Sequence, residues 1–278
     1  MSRIRFEWEV EADKIDQPDG EDPHLKRTRR RNLRRLLLLI ALLVVAFVLG
    51  GLALYLRLVQ VQNEIAQQLT DTIKVEVAAL RIGDRSTFLH IQSSDEGWLA
   101  TQSALFEHYE ALKAANAIEL PGDILSVTIE GERARALVRE DRNRLPYARL
   151  SFYLWADGVW RHTAPDFTFW GERQRTESGR IVVQYRDADA TFARQMGADL
   201  AKWVEALCAA AACDKDAKLQ IDIEAETEEA LTWIDAGAGR LVIRSPYLDL
   251  VRADTPFDSE RAVPLYKLIS ESWDFGAE

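Results

Sequence analysis

Proton-transfer catalysis needs a base to take the proton and a donor to hold the charge that develops, all within about 3 Å of the reacting atoms. Asp84, His90, Tyr109 and Tyr153 are the side chains in this chain that could supply a carboxylate or imidazole base and a phenol donor. Nothing in their spacing brings them together. Asp84 follows Gly83 at the end of a helical pattern, where an Asp caps the next turn, and His90 lies in an amphipathic stretch as a core or surface residue. The four histidines, His24, His90, His108 and His162, contain no H-E-x-x-H and no pair at metal-ligand spacing. No nucleophile elbow or phosphate-cradling glycine loop is present either. The expectation is a protein that is not an enzyme, with no catalytic residues, no metal and no cofactor.

Two further groups of residues stand out. The stretch WRHTAPDFTFWGE, residues 160–172, holds two Trp, two Phe and a His. Trp155, Trp160 and Trp170 can line a pocket or close a core, and closure is the expected role because large rings usually pack. Cys208 and Cys213 flank four alanines. On one regular helix their Cα atoms would be too far apart to bridge, so a disulfide requires the helix to end between them, which the following CDKD permits. A buried free Cys208 is the alternative. No C-x-x-C redox motif occurs.

The elements that must position these residues begin at a membrane-like signal. Residues 26–35, KRTRRRNLRR, carry seven Lys or Arg, including Arg29, Arg30, Arg31, Arg34 and Arg35. Residues 36–56 contain no charge or amide and, at about 1.5 Å per residue, would cover roughly 30 Å as a helix. That run exceeds the apolar core of a signal peptide and no A-x-A site follows, so an uncleaved anchor is expected. Basic residues precede the span, and Arg57 is the only one from 57 to 73, which predicts a cytoplasmic N-terminus and an extracytoplasmic remainder. Anionic headgroups would attract the basic run. The whole chain has a net charge of −10 and residues 57–278 carry 25 basic and 37 acidic residues, which argues against a nucleic-acid partner. Residues 1–25 are polar and acidic, a disordered tail by composition, although Phe6 and Trp8 could seed a partner-binding peptide.

Beyond the span, Val61, Ile65, Leu69, Ile73, Val77 and Leu80 form one apolar helical stripe that ends at Gly83. A second helix is expected from about Glu96 to Ala117. The period then changes to two: strands at 124–129 and 134–138, DRNRLP as a separator, YARLSFYLW as a strand, an Asp-Gly hairpin, and VWRHTA returning. The C-terminal part reads as a strand GRIVVQYRD, a helix over ATFARQMGADLAKWVEALCAAA, strands KLQIDIEAE and GRLVIRSPYL, and a last helix interrupted at Pro264. The fold class is α+β: one transmembrane helix, helices on a curved antiparallel sheet, and a smaller α/β C-terminal module.

VAALRIGDRSTFLHIQ (77–92), GERARALVRE (131–140) and ARLSFYLWADGVWRHTAPDFTFWG (148–171) together resemble bacterial NTF2-like (SnoaL-like, cystatin-like) domains over residues 70–171. The resemblance implies a cone in which a bent sheet wraps a long helix and can leave a pocket. The C-terminal order faintly resembles the opening of a gluzincin-type, peptidase-MA-like domain, whose H-E-x-x-H is absent here. The expected organisation is a cytoplasmic basic tail (1–35), transmembrane helix (36–56), juxtamembrane helix (57–69), NTF2-like domain (70–171) and C-terminal α/β module (177–278). The leading function is a non-catalytic, membrane-anchored envelope protein that binds a protein partner or small-molecule ligand outside the cell membrane. One alternative is an oligomeric scaffold, since the layout resembles VirB8-like secretion components and Mce-associated proteins. The other is a small-molecule enzyme of the SnoaL or ketosteroid-isomerase type.

Overall fold

A computed structural model describes residues 23–210, 213 and 217–272, and of residues 23–31, 34 and 210 the backbone alone. The expected disordered tail (residues 1–22 of it), the side chains of Arg29, Arg30, Arg31 and Arg34, and residues 273–278 therefore lie outside the described residues. The fold is α+β, with five α-helices and two sheets among the described residues. The chain divides into two units, residues 1–63 and 64–278.

In the first unit, helix α1 begins at Pro23, and the helix as a whole runs to Ile82. Every residue from Arg35 to Leu58 is exposed, Phe47 by 81 %. So long an exposed apolar surface is unfavourable in water, and this is the one described helix long and apolar enough to cross a membrane.

The second unit opens with the C-terminal part of α1, where Leu69, Ile73, Val77 and Leu80 turn inward as their spacing predicts. Gly83, at φ +78°, ends the helix in the left-handed region, and Asp84 N–H closes back on Ala79 O at 2.9 Å. The Asp84 side chain then caps α2 (Arg85–Ile91), accepting from Thr87 N at 3.0 Å. Asp95 caps α3 (Glu96–Ala114) in the same way.

The first sheet is built on two long central strands. β1 (Ile118–Glu119) and β2 (Ile124–Glu130) both pair with one edge of β3 (Arg133–Arg142), which pairs along its length with β4 (Leu145–Ala156). DRNRLP is not a separator: β3 and β4 meet at a two-residue turn with Asn143 and Arg144 both at positive φ. The Asp157-Gly158 turn, also with both φ positive, leads into β5 (Val159–Thr163).

After β6 (Arg173–Ser178) and β7 (Ile181–Arg186), α4 (Ala190–Ala210) crosses over to β8 (Leu219–Glu224), parallel to β7. β9 (Leu231–Asp235) and β10 (Arg240–Arg244) complete a second sheet in the order β6-β7-β8-β10-β9. β11 (Leu250–Arg252) then leaves that sheet and pairs with β4 of the first. α5 (Ser259–Ser272) follows, with Asp258 accepting from Arg261 N. The expected interruption at Pro264 does not occur: the helix continues through it. Pro264 is exposed near the helix start, so water can serve the carbonyl that its missing N–H leaves free.

Two cores result. One joins α1, α2 and α3 to the first sheet through Phe88, Phe106, Tyr109, Ala134, Ala136, Tyr153 and Trp160. The other joins α4, α5 and the second sheet through Met196, Leu200, Ile221, Leu241 and Leu265. Successive side chains of β4 point to opposite faces, so Tyr153 belongs to the first core and Phe152 to the second.

Candidate functional site

The first core contains a buried polar network around a small cavity. Glu76, on the inward face of α1, receives three partners: His162 Nδ1 at 2.5 Å, Tyr153 OH at 2.9 Å and Gln92 Nε2 at 3.1 Å. The helices position Gln92 and Trp98, whose indole N–H is shared between Gln92 Oε1 (3.2 Å) and His162 O (3.1 Å). Tyr153 stacks on the His162 ring at 5.0 Å, and Trp98 meets it edge-on. Burial works to raise the Glu76 carboxyl, but the His162 charge and the three hydrogen bonds outweigh it and hold the group below its ordinary value.

A second carboxylate, Glu140, faces the same cavity from β3. Tyr109 donates to it, Arg142 Nε approaches at 2.7 Å and Arg149 Nε at 3.4 Å. Burial first, and then the partner carboxylate, push both phenols upward, so Tyr109 and Tyr153 stay protonated and donate. Gln102, 3 % exposed, also lines the cavity, and its Oε1 is buried without a hydrogen bond among the described residues. About 40 Å³ is open to the centres of water molecules. That is room for a few waters, each needing at least about 10–15 Å³, against about 300–1,000 Å³ for a ligand pocket.

The sequence candidates separate accordingly. Tyr109 and Tyr153 enter this cavity, each with its hydroxyl bonded to a carboxylate. Asp84 is a helix cap, its carboxyl held low by the hydrogen bonds from Thr87. Trp160 is 2 % exposed, packs edge-on against Trp155 and donates to Ile65 O at 3.2 Å. Trp155, Trp160 and His90 border a different feature, an outer groove of about 480 Å³ between α1, the end of α2 and the β4–β5 hairpin. Trp170 lies in the second core, fully buried and stacked on Phe152. Its indole donates at 2.8 Å to Asp189, which Ser245 also reaches. Asp189 is completely buried, and burial raises its carboxyl to about 6 despite those two donors.

Sequence reasoning misses Glu76, Gln92, Gln102, Glu140 and His162, though three of them carry a signal. Glu76 interrupts the apolar stripe between Ile73 and Val77, Glu140 continues the inward series Ala134, Ala136, Val138, and His162 follows Trp160 at a spacing of two. Cys208 and Cys213 form a disulfide with Cα atoms 5.2 Å apart, Cys208 lying in the last described turn of α4. Among the described residues no cluster of His, Cys, Asp or Glu is placed to hold a metal ion. No protein-family model, curated protein or solved structure matches the chain.

Proposed function

We propose that this chain is a single-pass membrane protein with its N-terminus in the cytoplasm. Residues 57–278 then form an extracytoplasmic region, with an NTF2-like module at 70–171, that binds a partner or ligand without catalysis. The observation that carries this reading is the state of the inner cavity. Both of its carboxylates are committed to several donors, and Glu76 is held below the ordinary carboxylate range, which makes it a weak base. Too little room remains for a substrate beside them, so the network serves as a rigid polar core and recognition falls to the outer surface.

A second reading, the oligomeric scaffold, is favoured by the outer edge of β2. This edge strand exposes Leu125 by 46 % and Val127 by 38 %. Apolar side chains on an open edge invite another strand. Crosslinking of the full-length protein in native membranes, followed by affinity capture and mass spectrometry, separates the readings. A reproducible heterologous partner supports the binding protein, and crosslinked copies of the chain alone support the scaffold. Turnover of a small carbonyl compound, abolished by Glu76→Gln, would overturn both.

A further inference from the structure

The outer groove has a composition that its role in packing does not require. Trp155 is only partly buried there, and Val75 and Val159 are exposed beside it, giving the groove an apolar wall. Along the same groove stand four planar polar groups: the Gln68 amide, the Asp71 carboxylate, the His90 imidazole and the Arg161 guanidinium. Most of their hydrogen-bonding capacity is unused. Gln68 and His90 make no side-chain hydrogen bond or ion pair among the described residues. Asp71 spends Oδ1 on Gln67 at 2.9 Å, and Arg161 spends one nitrogen on the His90 carbonyl.

From this arrangement we infer that the groove is a saccharide-binding site. A sugar ring has one face of C–H groups and a rim of vicinal hydroxyls that both donate and accept. The C–H face suits an indole wall, and adjacent hydroxyls suit planar side chains that offer paired donors or acceptors. One carboxylate and one guanidinium leave the rim without a net charge, which suits a neutral glycan better than a phosphate or a polyanion. A lipid chain would leave all four polar groups desolvated and unpaired. The volume of about 480 Å³ fits one or two sugar rings. This deepens the binding reading given above and rests on it, naming the ligand class that the extracytoplasmic surface would take.

The test is titration of the full-length protein in detergent with three neutral tetrasaccharides: cellotetraose, maltotetraose and the N-acetylglucosamine tetramer, followed by calorimetry. Saturable binding of at least one is expected, weakened about tenfold by Trp155→Ala and several-fold by Gln68→Ala or His90→Ala. The last two residues are exposed, so these variants keep the fold even if loss of Trp155 perturbs the hairpin. No saturable binding of any tetrasaccharide at millimolar concentration overturns the inference, and so does binding that both His90→Ala and Gln68→Ala leave unchanged. Capture of a membrane partner alongside a failed titration would leave the function proposed above standing while removing the saccharide site.

Discussion

At the scale of single residues, Asp189 is a buried carboxyl whose two hydrogen-bond donors do not offset its desolvation. Its carboxyl is raised from 3.8 to about 6, so the folded state holds a proton in a range where the unfolded chain has lost it. Below about pH 4 the group is protonated in both states and costs nothing. As pH rises through 6 the buried group must ionise, and stability falls by about 3 kcal/mol in total. Asp189→Asn keeps an acceptor for Trp170 and a partner for Ser245, so it should raise stability at pH 7.5 and flatten the loss between pH 4 and 6 in urea unfolding. The opposite response is expected at Glu76. His162→Ala leaves that carboxylate buried without its charge partner and should cost about 3–5 kcal/mol by the same measurement. The residue types at these positions were visible in the sequence, but a carboxylate inside an apolar stripe reads equally as a solvated edge of the stripe. Only the pairing of Glu76 with His162, 86 residues apart in sequence, distinguishes the two.

At the scale of elements, the sequence is legible where one backbone feature decides the outcome. Gly83 with Asp84, and Asp157 with Gly158, are such positions, since positive φ or a capping carboxylate is needed there. Asn143-Arg144 makes the same kind of turn with no such signal, because Arg rarely takes positive φ and long cross-strand pairing between β3 and β4 overrides that preference. β11, with three residues, had no periodic signal, and its place is set by pairing across the molecule. The disulfide joins cysteines five residues apart in sequence, for which the chain-entropy estimate is about 2 kcal/mol. The double variant Cys208→Ser/Cys213→Ser should lose about that much, and added reductant should then have no further effect on its unfolding curve.

At the scale of the whole molecule, charge asymmetry is the legible part: seven basic residues before the apolar run and a net of −12 after it. Protease added to intact cells should digest residues 57–278 and spare the tail, whereas protection of the C-terminal region would reverse the proposed topology. How 70–171 and 177–278 divide the molecule was not legible, because Phe152, Phe169 and Trp170 from the first segment lie in the core built by the second. The pairing of β11 with β4 bears on the order of events in time. β4 ends at Ala156 and its partner begins at Leu250, so roughly a hundred residues must emerge before that edge closes. At 5–20 residues per second the nascent first sheet waits about 5–20 s with part of an edge open, long enough to need shielding from other chains. A chain ending at Asp249 should therefore remain protease-sensitive in its N-terminal sheet as well as its C-terminal half, which limited proteolysis with mass mapping would read directly.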